Sequence, residues 1–152
     1  MTHEQRLASL GITLPPPPKP VATYATIVQH GDLLYTAGHG PLRADGTWLV
    51  GKLGATLDVA AGREAARLNG LAMLARLRAH LGSLDRVARI VKVLGFVNAT
   101  AEFTDHPQVI NGFSDLMAQV FGEVGIAARS AVGAPSLPSG IAVEIEAIVA
   151  VA

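Results

Sequence analysis

Residues 141–152 constrain the fold of this chain more than any other segment. They are apolar throughout except for two glutamates, Glu144 and Glu146. A strand that is apolar on both faces is normally covered on both sides. We therefore expect this strand to have helices on one face and a partner subunit on the other. Carboxylates in such surroundings need partners or a function.

A second apolar strand comes just before it, at residues 128–132, and carries one arginine, Arg129. The two strands are joined by a turn at residues 135–140. A hairpin centred near this turn would place Arg129 opposite Glu146, and Ala131 opposite Glu144. Because opposed residues share one face of a sheet, the guanidinium and both carboxylates are expected to project together. A slip of one residue would separate them.

This charged cluster has two interpretations. An arginine offers a planar fork for a substrate carboxylate, and a nearby glutamate can hold or activate a water molecule. That arrangement would form a site for a small molecule bearing a carboxylate. Alternatively, Arg129 and Glu146 form a cross-strand ion pair, and Glu144 is solvated at a sheet edge. The apolar surroundings of the last strand favour the first interpretation.

The composition excludes several other classes of protein. The chain has 152 residues, enough for a single domain with a substantial core. Its apolar stretches are broken before they reach membrane-spanning length, and its N-terminus does not resemble a secretory signal, so a cytoplasmic location is expected. Twelve basic residues balance twelve acidic ones, which argues against a nucleic-acid partner. Half of the residues are hydrophobic, which suggests that part of the surface is covered in an oligomer.

The reactive side chains offer no site for a metal or cofactor. Cysteine is absent, and the five histidines show no metal-binding spacing. No nucleotide-binding glycine loop or nucleophile elbow is present. We therefore expect no cofactor and no metal. The long-helix arginines follow no single stripe and are interpreted as a solvated face: Arg63, Arg67, Arg76 and Arg78.

The element order predicts a two-layer α+β sandwich. Residues 1–20 form an N-terminal arm, with a helical turn at 3–10 and a stiff proline-rich lead-in at 15–20. Residues 21–152 form one domain. Its predicted strands cover 21–29, 33–37, 48–50 and 89–97, followed later by the terminal hairpin. Its two helices span 56–81, ended by Gly82, and a segment opening at Pro107. We expect a mixed sheet with both helices packed on one face.

Several motifs in this chain resemble those of the Rid family, also called YjgF-like proteins. The more specific ones are Ala128-Arg129-Ser130, Leu137-Pro138 and the run at residues 143–148, and weaker matches lie at 34–38, 82–87 and Asn111. The resemblance implies a chorismate-mutase-like fold assembled as a homotrimer with sites between subunits. It also implies hydrolytic deamination of reactive enamines and imines, such as 2-aminoacrylate, to 2-oxo acids and ammonia. The longer arm is typical of a less characterised branch.

The resemblance also assigns the site residues. Arg129 would clamp the substrate carboxylate, and Glu144 would position the attacking water. The pocket would be shaped by the following residues: Tyr24, Gly38, His39, Asn111 and Ala131, the last standing where many relatives carry cysteine. Two alternatives are retained. A non-catalytic protein that binds small carboxylates would use the same clamp, and RNA cleavage is a distant third possibility.

Overall fold

A computed structural model describes residues 1–20 and 22–152 of the chain. Three helices and five strands follow one another in this order: α1 (His3–Ser9), β1 (Ile27–His30), β2 (Leu33–Thr36), α2 (Val59–Leu81), β3 (Val87–Asn98), α3 (His106–Phe121), β4 (Ala128–Ala134) and β5 (Val143–Val151). The two predicted long helices and the predicted strands near residues 27–37, 87–98, 128–134 and 143–151 are confirmed. The first strand is shorter than predicted, and Val21 lies outside the described residues. The predicted strand at 48–50 is reduced to isolated bridges, one of which joins Leu42 to Trp48.

The ends of the long helices follow from local chemistry. Asp58 caps α2 by accepting a hydrogen bond from the Ala61 N–H. Gly82, with a φ of 84°, ends the same helix in the left-handed region that glycine tolerates best. Pro107 lies in the first turn of α3, where its missing N–H costs no helical hydrogen bond.

The sheet has the strand order β1-β2-β5-β3-β4, and only the β3–β4 pair is parallel. The prediction of a terminal hairpin is therefore wrong. Strand β4 pairs with β3, so that Arg129 lies opposite Val93, whereas β5 pairs with β2 and β3. Helix α3 connects β3 to β4 as a crossover, and such connections produce parallel neighbours. The largely apolar β5 takes the central position between β2 and β3.

Both long helices pack on one face of this sheet, as predicted. Helix α2 contacts β5, and α3 contacts β3 and β4. Successive residues of β5 alternate between buried and half-buried, because successive side chains point to opposite faces. The odd-numbered residues, including Ile145 and Ala147, belong to the core. The even-numbered residues, including Glu144 and Glu146, lie on the face without helices.

The face of the sheet without helices retains exposed apolar side chains in the single chain. Val28 and Tyr35 of the first two strands and Val132 of β4 are all 42% exposed or more. The N-terminal helix, by contrast, is docked: Leu7 is buried, and Glu4 forms a salt bridge with Arg78 of α2. Among the described residues, no helix combines the length and apolar character that a membrane span requires.

Candidate functional site

Glu144 lies beside a bend of the chain at Gly38, where a larger residue would crowd the glutamate side chain. The bend follows β2, and His39 exchanges two backbone hydrogen bonds with Ile145 of β5. A Cβ atom added at Gly38 would lie 3.0 Å from the Glu144 Cδ atom. The carboxyl group of Glu144 therefore packs directly on the backbone of Gly38, which keeps its position well defined.

A cavity of about 180 Å³ opens next to this carboxyl group. The structure brings four of the predicted site residues to its walls: Tyr24, Gly38, His39 and Glu144. The remaining walls include the apolar side chains of Trp48 and Ile141, together with Lys19. Burial raises the pKa of the Glu144 carboxyl above its ordinary value, and the neighbouring charge of Glu146 adds to this. Such a group accepts and releases protons closer to neutral pH than an exposed glutamate does.

His39 lies in the same wall as a neutral side chain. Its ring is 7% exposed and meets the Trp48 ring edge-on, with 5.7 Å between the centroids. Burial, together with the positive charge of Arg76, lowers the pKa of His39 to about 4. Within the described part of the chain, its Nε2 atom has no hydrogen-bond partner.

Arg129 belongs to a second, separate cavity of about 310 Å³, beside α3. Its Nη1 atom donates to Asn111 Oδ1 at 2.8 Å and to Ser114 Oγ at 3.2 Å. The structure thus places Asn111 next to Arg129 and, within the described chain, outside the cavity that Tyr24 and Gly38 line. Across residues 1–20 and 22–152, no carboxylate forms a salt bridge with Arg129. Ala131 packs against the core and lines neither cavity.

The expectation that Arg129 and Glu144 project from one face of the sheet is wrong for a single chain. Arg129 shares a lateral row with the buried residues Val93 and Ala147, and this row faces the helices. Glu144 shares a row with Phe96 on the opposite face. The cause is the insertion of β3 between the two strands, which changes the register. One chain therefore contains two separate charged sites, an acidic site at Glu144 and a basic site at Arg129.

Two buried polar residues next to the acidic site were not predicted. Asn69 donates from its side-chain amide to the His39 carbonyl, and Arg76 donates to the Ala37 carbonyl. The assignment of Arg76 to a solvated face is wrong, because this residue is only 4% exposed. Its spacing of seven residues from Asn69, on the alanine-rich face of α2, was the available signal.

This fold defines the class of protein. A mixed five-stranded sheet covered on one face by two helices is the architecture of the chorismate-mutase-like proteins. The chain matches the family described as "YjgF/chorismate mutase-like, putative endoribonuclease" over residues 4–146. It belongs to this family, and the resemblance drawn from the sequence motifs is confirmed.

Individual relatives cover nearly the whole chain. Protein TCP17 of Trypanosoma cruzi is 45% identical over 144 residues, which are 94% of this chain and 90% of TCP17. The crystal structure of the Agrobacterium tumefaciens protein Atu1372, of unknown function, is 41% identical with a TM-score of 0.89, covering 99% of this chain and 92% of that one. A Shewanella oneidensis structure described as a "putative endoribonuclease" is 30% identical with a TM-score of 0.94, covering 99% and 100% of the two chains.

Proposed function

We propose that this protein hydrolyses reactive enamines and imines of the 2-aminoacrylate type to 2-oxo acids and ammonia. The reaction would take place at a site completed by two protomers of a homotrimer. The observation that supports this most directly is the separation of the acidic and basic sites. Glu144 and Arg129 each line a cavity, and neither forms a salt bridge within the described residues. A neighbouring protomer that supplies Arg129 would bring a carboxylate clamp to the Glu144 cavity.

The surface of the sheet supports assembly. Its face without helices carries half-exposed apolar side chains next to Glu144 and Glu146. Apolar surface of this kind on a small domain is usually covered by another chain. Strand β4 is also an edge strand, and it carries Arg129 to the outer limit of the sheet. An edge position is accessible to a neighbouring protomer.

The chemistry requires a held water molecule and a proton carrier. The substrate carboxylate would bind the guanidinium of Arg129 from one protomer. Glu144 of the other protomer would take a proton from water as the oxygen attacks the imine carbon. That proton would pass to the nitrogen and give a carbinolamine, the enamine having first become the imine by moving a proton from nitrogen to its methylene carbon. Glu144 would then transfer the carbinolamine hydroxyl proton to the nitrogen, so that the C–N bond breaks, the C=O bond forms, and ammonia and a 2-oxo acid leave. The raised pKa of Glu144 suits both proton transfers. Orientation within the cavity supplies the remaining acceleration.

A direct test generates 2-aminoacrylate with a serine dehydratase beside the purified protein and measures release of ammonia and pyruvate. We expect Arg129→Ala to abolish substrate binding. We expect Glu144→Ala to retain binding and to slow hydrolysis. Turnover at the wild-type rate in both variants would contradict the assigned roles.

Mixing these two inactive variants tests whether the site lies between protomers. In trimers assembled from equal amounts of both, a random arrangement restores one intact Arg129–Glu144 pair at about a quarter of the interfaces. We therefore expect co-refolded mixtures to recover about a quarter of wild-type activity. A site within one chain would recover none.

A non-catalytic protein that binds small carboxylates is the second candidate, because the same cation and cavity would serve it. It predicts that ligand binding depends on Arg129 while the rate of 2-aminoacrylate hydrolysis equals that without protein. The family description and the Shewanella relative also point to RNA cleavage. That activity predicts a steep salt dependence and must persist in nuclease-free preparations. The formal charge of zero argues against it.

A further inference from the structure

Arg76 is a buried cation without an acidic partner in the described part of the chain. It is 4% exposed, and the salt bridges found there join Arg63 to Asp115 and Arg78 to Glu4. Its Nη1 atom donates to the Ala37 carbonyl at 3.1 Å and to the Thr26 carbonyl at 3.5 Å. Burying an arginine without a carboxylate is costly, so its retention calls for a reason.

The two carbonyls that Arg76 contacts belong to residues next to those that line the Glu144 cavity. Ala37 precedes Gly38, and Thr26 follows Tyr24 by two residues, so the guanidinium joins two walls of the cavity. Asn69 lies seven residues earlier on the same face of α2 and donates to the His39 carbonyl. Helix α2 therefore holds the bend on both sides of Gly38.

The charge of Arg76 also acts on the cavity. Arg76 contributes, after burial, to the lowered pKa of His39, whose side chain lines the cavity. Burial lowers the pKa of Arg76 below its ordinary value, but the guanidinium remains charged at neutral pH. In surroundings of low polarity and without a counter-ion, such a charge is poorly screened. An anion in the cavity would supply the missing opposite charge.

We propose that Arg76 is a positioning residue that fixes the Gly38–His39 wall and whose positive potential selects carboxylate-bearing ligands for the Glu144 cavity. This inference rests on the proposed function, because it concerns the same cavity. It is a statement about ligand binding, however, and binding can be measured without turnover. A unit charge acting across roughly 10 Å at an effective dielectric constant of about 20 changes a binding constant on the order of tenfold.

The test compares two ligands that differ mainly in charge, 2-oxobutanoate and its neutral amide, by titration calorimetry. We expect Arg76→Gln, which keeps a donor for the carbonyls, to weaken binding of 2-oxobutanoate about tenfold. Binding of the amide should change by less than about twofold. Arg76→Lys should restore 2-oxobutanoate binding. Arg67→Gln removes the same charge from the same helix at a half-buried position outside the cavity, and should leave both affinities unchanged.

Equal losses for both ligands in Arg76→Gln would assign Arg76 a structural role only and overturn the proposal, as would unchanged 2-oxobutanoate binding. If Arg76→Gln does not fold, Arg76→Met provides a second neutral variant, because an apolar side chain of similar length fills a buried site without a charge. Failure of this inference can be distinguished from failure of the proposed reaction. A wild-type protein that binds 2-oxobutanoate through Arg76 but does not hydrolyse 2-aminoacrylate would refute the reaction and leave the inference standing.

Discussion

Gly38 controls the position of the proposed catalytic carboxyl group, and replacing it with alanine gives a quantitative test. The added Cβ atom would lie 3.0 Å from Glu144 Cδ and 3.1 Å from Glu144 Cγ. Contacts this short are tighter than most Cβ contacts, so the glutamate side chain must move by a few tenths of an ångström. A misplacement of about 1 Å costs on the order of a hundredfold in rate. Because the displacement at Gly38→Ala is smaller than this, we expect the variant to lower kcat for 2-aminoacrylate by about three- to tenfold, or about 0.7–1.4 kcal/mol.

The assay is ammonia release from 2-aminoacrylate, with the melting temperature measured in parallel. Gly31→Ala is the control for a general loss of stability: its φ of +60° strains any side chain, but the Cβ atom meets nothing within 4 Å in an exposed turn, so we expect a lower melting temperature with an unchanged kcat. Gly40→Ala is a second comparison: its Cβ atom would lie 2.9 Å from Ile141 Cδ1, so it crowds the same cavity without pushing Glu144. We expect this variant to lose less activity than Gly38→Ala. Wild-type kcat in a folded Gly38→Ala protein would refute the assigned role of Glu144.

Three further predictions concern stability. The pKa of Glu144 in the folded chain is raised above its ordinary value of 4.5. At a pH above this raised pKa, the ionised Glu144 carboxylate therefore destabilises the folded chain. Glu144→Gln should therefore be more stable than wild type at pH 8 and equally stable at pH 4. The gain at pH 8 should be less than about 1 kcal/mol, because the side chain is half-exposed. Calorimetry at both pH values measures the difference, and a variant less stable than wild type at pH 8 would contradict the prediction. The folded pKa of His39, about 4, lies below its ordinary value of 6.5, so the folded chain binds fewer protons and loses stability as pH falls between these values. Between pH 7 and pH 4.5, the free energy of unfolding measured in urea should fall by about 2–3 kcal/mol in wild type and by much less in His39→Gln. An equal fall in both proteins would contradict a buried neutral His39 ring. Leu7→Ala should cost about 2–5 kcal/mol because Leu7 of α1 is buried, and an unchanged urea midpoint would show that the arm is not docked in solution.

The elements were predictable because their signals are local. Gly82 and Pro107 mark helix ends through their own backbone geometry, and both helices follow the spacing of their apolar residues. The family motifs around Arg129 and Glu144 were also visible in the sequence. Strand pairing is different, because it joins segments that are distant along the chain. Two apolar strands separated by a short turn predict a hairpin, yet here β3 lies between them.

The candidate site shows the same division. Composition and motifs identified Glu144, Gly38 and Arg129, since an acid, a glycine and an arginine each have a recognisable chemical use. The buried position of Arg76 depends on which face of α2 meets the sheet, and an arginine on a long helix is normally solvated.

The sequence by itself determined the fold class, the family and the identity of the charged residues, because these depend on local pattern and residue chemistry. Only the tertiary structure decided that Arg129 faces the helices while Glu144 faces the surface without helices. The physical reason is the twofold alternation of strand side chains, which makes the face of each residue depend on the pairing of the whole sheet.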